Sequence, residues 1–332
     1  MKKINYIIVA AILIVIIVAG TFTGIYLSKH SPRGTASSNG VSAPGVTGTA
    51  SFNGVIQVVA AENFWGSLVS QIGGTKVDVT SIVTDPNADP HEYESNAADA
   101  IKIANAQFVI VNGAGYDEWA LQLIAASASS NQVVLNVQEF INQTVTANPH
   151  FWYSPYYVND TVDEMYQILC AIEPSATAYF AQQYAILKDG NGPNDISLST
   201  YNARIDEIKQ DFAGVKVGST ESIFVYLANA TGLDLVSPPA FMEAVAEGND
   251  PPAQSIVQFD NLITNGTIQM LVYNEQTVTP LTSSIKALAA QYNIPTVGVT
   301  ETIQPPDVAF QVWMNAELLQ IQNALNTQAL GT

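Results

Sequence analysis

Short apolar runs alternate with longer amphipathic ones in two series along this chain, and that alternation restricts the fold more than any other feature. The first series is "VIQVVA", a helical stretch after Glu62, "KVDVTSIV", a helix from about Asn96, "QFVIVN", a helix from about Asp117, and "QVVLNV". The second is "VKVGST", a helix over "SIFVYLANAT", "LDLVS", a helix from about Pro252, "MLVYN", a helix from about Thr282, "TVGV" and a final helix from about Val308. Parallel neighbours need a crossover, and a helical crossover must bury its apolar face, so such alternation builds a parallel sheet with helices on both faces. The expected fold class is α/β: two domains, each a parallel sheet flanked by helices, joined by a helical linker. No close sequence repeat relates the two series.

Between them, 158–188 and 198–213 read as mostly helical, separated by "DGNGPNDISLS", whose Gly, Asn and Pro break a helix. A length of 332 residues suits two cores. The division expected is an N-terminal α/β domain over 52–157, a helical linker region with an insertion over 158–213, and a C-terminal α/β domain over 214–332.

Ahead of these lies "MKKINYIIVAAILIVIIVAGTFTGIYLSKH", in which Tyr6 to Leu27 is uncharged and almost wholly apolar, long enough to span a bilayer. It reads as a membrane anchor over 1–30, with a cleaved signal sequence as the alternative because "IVAG" offers small residues. Without a cysteine near it, lipid attachment through an N-terminal cysteine is not expected. Residues 31–51, rich in Gly, Ser and Thr, have the composition of a flexible tether.

Beyond residue 50 stand seven basic residues and all 29 acidic ones, a formal charge of −22. That balance argues against nucleic acid and anionic lipid surfaces as partners. Charged residues make up 12% of the chain, against roughly 25% in ordinary soluble proteins. Amide and hydroxyl side chains supply the polar surface instead, and a location at the cell surface or in a periplasm-like exterior is expected. Sequons at Asn142, Asn159, Asn229 and Asn265 permit glycosylation there. The single cysteine, Cys170, lies at helical spacing among apolar residues and reads as a buried small hydrophobe.

In parallel α/β sheets, ligands meet the loops at the C-terminal ends of strands. Four metal-competent side chains fall in such loops. His91 follows "VDVTSIV" by eight residues, His150 lies in "TANPHFWYSP", Glu221 follows "VKVGST" and Glu301 follows "TVGVT". Each also has an ordinary reading: a loop histidine without a ligand, a glutamate capping a helix or facing water. Two of the three histidines stand at Pro-His steps, where proline stiffens the backbone before the imidazole; the third, His30, merely flanks the apolar span.

The stretch "DPHEYESNAADAIKIANAQFVIVNGAGYDEW" resembles the N-terminal signature of the metal-binding solute-binding proteins of zinc- and manganese-type ABC transporters. "NPHFWYSP" resembles their second histidine motif, and "GSTESIFVYLANATGL" a third, where His or Glu is found. "MLVYNEQTVTP" with "ALAAQYNIPTVGVTETI" resembles the closing segment, which supplies a carboxylate. Motifs in the expected order cover about residues 55 to 328. The resemblance implies that His91, His150, Glu221 and Glu301 bind the metal, with no catalytic residues. Family members usually have Asp where Glu301 stands, which leaves Asp307 as an alternative fourth ligand. Glu275 matches a frequent family glutamate and reads as supporting structure, with ligation as the alternative. Glu92 and Glu94 are expected to be solvated or to lie behind the ligands. Family members also link their halves by one long helix, which "DGNGPNDISLS" interrupts here.

Imidazole and carboxylate without thiolate suit Mn²⁺, Zn²⁺ or Fe²⁺. Glu221 in place of a third histidine makes the set harder, which ranks Mn first and Zn a close second, since zinc generally binds such sites more tightly. The expected function is extracytoplasmic binding of that metal as cargo and delivery to an ABC permease by a monomer held at the membrane. Imidazoles must be neutral to coordinate, so binding should weaken below about pH 6.5. The competing readings are a secreted metal-dependent hydrolase, disfavoured by four protein ligands and the lack of HExxH, and a surface adhesin with a structural metal.

Overall fold

The computed structural model describes residues 54–85, 93–127, 131–192 and 195–331. The expected anchor and tether, together with His91 and Glu92, lie outside the described residues. Among the described residues no helix is long and apolar enough to cross a membrane. They belong to one compact unit, Thr49–Thr332, built around two four-stranded parallel sheets.

In the first sheet, β1 (Ile56–Glu62), β2 (Val77–Val83), β3 (Phe108–Val111) and β4 (Val133–Asn136) lie in the order β2-β1-β3-β4. In the second, β5 (Lys216–Ser219), β6 (Asp234–Leu235), β7 (Leu271–Asn274) and β8 (Thr296–Val299) lie in the order β6-β5-β7-β8. The two orders are the same once renumbered, so the halves repeat a topology that no repeated sequence announces. Every observed pairing is parallel. Alternation along the strands sends successive side chains to opposite faces. Ile56, Val58, Ala60, Phe108 and Ile110 join the large central core, while Val59, Ala61, Val109 and Val111 face Ile103 and Ala120 in a smaller outer one. A third cluster, with Phe241, Phe259 and Ile285, covers the outer face of the second sheet.

The crossovers are α1 (Asn63–Gly73), α2 (Ala97–Asn105) and α3 (Glu118–Ala126) in the first half. A single turn, α4 (Val137–Phe140), follows β4. Those of the second half are α8 (Val225–Thr231), α9 (Pro239–Ala246), α10 (Ala253–Thr264) and α11 (Pro280–Gln291). Local sequence sets their starts: Asn96 and Asp99 form a reciprocal capping box on α2, and Thr279 caps α11 ahead of Pro280. The turn α4 and the helix α9 were not expected from sequence. Pro238 takes the N-cap position of α9 and Pro239 its first helical position, where proline forfeits no hydrogen bond.

The middle contains α5 (Pro155–Ile172), α6 (Thr177–Asp189) and α7 (Leu198–Phe212). The expected first helical stretch is divided at Pro174, and the break at "DGNGPNDISLS" is present, ending where Ser197 caps α7. Cys170 is half-buried against the central core rather than fully enclosed. The final helix, α12 (Phe310–Gly331), follows β8 and packs on α7 and β8. Its Phe310, Trp313, Met314 and Leu318 enter the same central core as Ile56 and Phe108, so one apolar interior runs through both halves.

The halves are also stitched by polar contacts from one face of α1. Asn63 Oδ1 accepts from Ile303 N at 3.0 Å, Ser67 Oγ accepts from Phe310 N at 3.0 Å, and Gln71 and Gln311 exchange amide hydrogen bonds. Positions 63, 67 and 71 recur every four residues, which keeps them on one helical stripe.

Candidate metal centre

The C-terminal ends of the strands deliver the polar residues. His150 lies in the connection after β4 and opens the turn Phe151–Tyr153; Glu221 stands two residues past β5; Glu301 stands two past β8. The three are fully buried, and one ligand atom from each lies within 4.8 Å of the others. The structure therefore brings together three of the four sequence candidates, while His91 lies outside the described residues. Asp307 and Glu94 are exposed and stand outside that cluster. Glu275 is also exposed; its carboxylate accepts from Tyr273 Oη at 3.3 Å and lies against Gly298, where a Cβ would collide with it.

The histidine's tautomer follows from its neighbours. Asn148 Nδ2 donates to Ser222 O at 2.7 Å, which turns Asn148 Oδ1 toward His150 Nδ1 at 2.7 Å. An amide oxygen only accepts, so Nδ1 carries the proton and Nε2 keeps its lone pair. The same asparagine ties the His150 loop to the residue following Glu221. Its own carbonyl accepts from Tyr226 Oη at 2.9 Å, and Pro149 O accepts from Asn112 Nδ2 at 2.8 Å.

Glu301 is oriented from both halves. Its Oε2 accepts from Tyr116 Oη at 2.6 Å, its Oε1 accepts from Asn274 Nδ2 at 2.6 Å, and its backbone N–H donates to Gln276 Oε1 at 2.8 Å. Under the cluster, Trp152 stacks on Phe64 with ring centroids 4.0 Å apart and meets His150 edge-on at 5.2 Å. Aromatic walls keep water out and strengthen electrostatic interactions inside.

Beside this cluster stands a second pair of acids. Glu62, the last residue of β1, is 1% exposed and contacts Asp117, which is wholly buried. Burial first, then the Asp117 charge, holds the Glu62 carboxyl well above the usual range. Burial also raises Asp117, to about 6, against the lowering effect of the Gly113 and Asn112 N–H groups that donate to it at 2.8 and 2.5 Å. Those donors favour charge on Asp117, so the shared proton belongs to Glu62. Glu62 also feels the charge of Glu301. The rule that selected Glu221 and Glu301 applies equally to Glu62, which ends a strand; Tyr116 and Asn148 carried no such positional signal.

Two covered parallel sheets with buried acids and an imidazole at their strand C-termini place this chain among two-lobed α/β proteins with a ligand position there. The chain belongs to the family described as zinc-uptake complex component A, periplasmic, whose model matches residues 58–324. It is similar to the manganese-binding lipoprotein MntA of Halalkalibacterium halodurans, 28% identical over 149 residues, 43% of this chain and 49% of that one. It is also similar to the manganese ABC transporter substrate-binding lipoprotein PsaA of Streptococcus anginosus, 24% identical over 200 residues, 54% and 60% of the two chains. The match to MntA thus spans about half of that relative's length. Among solved structures, the periplasmic zinc-binding protein TroA from Treponema pallidum has a TM-score of 0.68 at 17% identity, over 82% of this chain and 99% of that one. A ZnuA crystal structure has 0.66 at 21%, over 82% and 99%. At these identities the structural likeness is one of fold.

Proposed function

We propose that this protein is an extracytoplasmic receptor that binds a divalent transition metal through His91, His150, Glu221 and Glu301 and delivers it to an ABC permease. The observation that carries the reading is the buried convergence of one imidazole and two carboxylates within 4.8 Å. Two carboxylates so close in a water-poor site repel each other unless protons or a cation offset their charge. A dication bound to Nε2 of His150 and one oxygen each of Glu221 and Glu301 does so without a net charge, and the family motif adds His91 as the fourth ligand. Four protein ligands fill a tetrahedral site and leave no position for a reacting water, which favours a receptor over a catalyst.

Asn148 holds His150 in the coordinating tautomer, and Tyr116 and Asn274 aim Glu301. Because His150 comes from the first half and the two glutamates from the second, the cargo bridges the halves, and release requires them to part or rotate. We assign manganese first, on the strength of two carboxylates against two imidazoles, with zinc a close second and iron possible. The N-terminal apolar segment is proposed to hold a monomeric receptor at the membrane, with 52–157, 158–213 and 214–332 as its divisions.

The test is elemental mass spectrometry of the full-length protein after dialysis against equal Mn²⁺ and Zn²⁺ at neutral pH, beside Glu221→Ala. Near-stoichiometric metal that is lost in the variant is expected, and its identity names the cargo. A wild-type protein that retains no metal would sink the reading.

A further inference from the structure

Glu317 lies on α12, well away in sequence from the proposed ligands, and is 4% exposed. Its Oε1 accepts from Thr300 N at 3.0 Å, and its Oε2 lies 2.8 Å from Tyr153 Oη. The same Tyr153 Oη lies 2.8 Å from Thr300 O. One carboxyl group and one phenol therefore hold both backbone polar groups of Thr300, the residue before Glu301, and the phenol belongs to the turn that His150 opens. Trp313 Nε1 adds a hydrogen bond to Thr300 Oγ1 at 3.0 Å.

We propose that Glu317 and Tyr153 form a positioning clamp on Thr300 that fixes Glu301 relative to His150 and thereby sets the affinity of the cargo site. The clamp rests on the receptor reading, because it acts only through the ligands that reading names. Neither residue touches the metal in this scheme; both act through Thr300 and the turn after His150.

Proton counting shows how the clamp closes. Tyr153 has one hydroxyl proton and two acceptors within 2.8 Å. If that proton goes to Thr300 O, the contact with Glu317 is satisfied only when Glu317 carries a proton and donates it to Tyr153 Oη. The chain then runs from Glu317 O–H to Tyr153 O–H to Thr300 O, with Thr300 N–H returning to Glu317. The groups that act on the Glu317 carboxyl agree with a neutral acid. Burial raises it most and the Glu275 charge adds to this, while Tyr153, Thr300 and Trp313 lower it, leaving it at about 8. Tyr201 of α7 feels the Glu317 charge and is itself raised by burial, and Tyr153 also faces Glu301 and Glu221. Loss of the proton turns the Tyr153 hydroxyl toward the carboxylate and frees Thr300 O, loosening the segment that presents Glu301.

The experiment measures metal affinity of the full-length protein by chelator competition with Mn²⁺ and with Zn²⁺ at pH 7 and pH 9, for wild type, Glu317→Gln and Tyr153→Phe. Glutamine keeps an acceptor for Thr300 N–H and a donor for Tyr153 but cannot ionise. The wild type is expected to weaken about tenfold more than Glu317→Gln between the two pH values. Tyr153→Phe, which keeps the ring but removes the link, is expected to lose about 10- to 100-fold at pH 7, as partners that orient metal ligands do. A wild-type minus Glu317→Gln infrared difference spectrum at pH 7 should show one carbonyl stretch of a neutral carboxylic acid beyond the band that Glu62 contributes to both proteins. Equal pH responses of wild type and Glu317→Gln, or wild-type affinity in Tyr153→Phe, would overturn the clamp while leaving the receptor intact. A wild type that binds no metal would overturn both.

Discussion

The central strands β1 and β5 occupy the same place in their sheets, and each brings a buried glutamate to its C-terminal end, yet the two glutamates have different fates. Glu221 meets His150 and Glu301, with one ligand atom of each within 4.8 Å of the others. Glu62 meets Asp117, whose charge is already held by two backbone N–H groups, and so keeps its proton. Strand position delivers a carboxyl to the cleft, and its neighbours decide whether it is available to bind a metal. On the proposed receptor reading the two halves divide the work: the second supplies the carboxylate donors, while the first supplies the histidine and the aromatic wall of Phe64 and Trp152.

The strongest way to break this comparison is to neutralise each glutamate in turn. Glu221→Gln should weaken Mn²⁺ or Zn²⁺ binding by at least about 100-fold, since removal of a ligand exceeds the 10- to 100-fold loss typical of partners that orient ligands. Chelator competition against the wild type checks this. A loss below tenfold would mean that Glu221 is no more a ligand than Glu62.

The next largest effect is expected at Asn148, whose side chain links the His150 loop to Ser222 in the second half. Asn148→Ala releases both the His150 Nδ1–H and the carbonyl of Ser222, so the ring can rotate and change tautomer. Affinity should fall about 10- to 100-fold, while the metal-free protein loses about 1–3 kcal/mol in urea unfolding, the scale of two hydrogen bonds. Wild-type affinity in this variant would show that packing against Trp152 alone orients the imidazole.

Much of this was legible in the sequence because it depends on local periodicity. All eight strands follow from short apolar runs and most crossover helices from the amphipathic stretches between them, and the strand-end rule led to Glu221 and Glu301. The divided middle was legible in "DGNGPNDISLS". What stayed hidden depends on contacts between residues far apart in the chain. Tyr116 bonds Glu301 across 185 positions, and Tyr153 reaches Glu317 across 164. Neither lies where a spacing rule points. Glu62 is the exception, since its position at a strand end was visible but its meaning required Asp117. The helix α9 was hidden for a different reason: its prolines are breakers inside a helix but compatible with its first turn.

The smallest effect on cargo binding, and the sharpest test of the comparison, is expected from Glu62→Gln. If the Glu62 carboxyl is already neutral, glutamine reproduces its shape and charge, and metal affinity should change less than about threefold, well inside the 10- to 100-fold cost of losing a group that orients a ligand. The difference should appear instead in the stability of the metal-free protein. The folded state holds a proton that the unfolded chain releases in the ordinary carboxyl range. This contribution to stability is therefore complete below that range and is lost as pH rises toward the folded value, at about 1.4 kcal/mol per pH unit for one proton. Urea unfolding at pH 5.5 and 7.5 should show a shallower decline for Glu62→Gln than for the wild type, with the remaining slope from Asp117, near 6, and Glu317, near 8. A decline as steep as the wild type's would place the proton elsewhere. A large loss of metal affinity would make Glu62 a ligand and erase the distinction between β1 and β5.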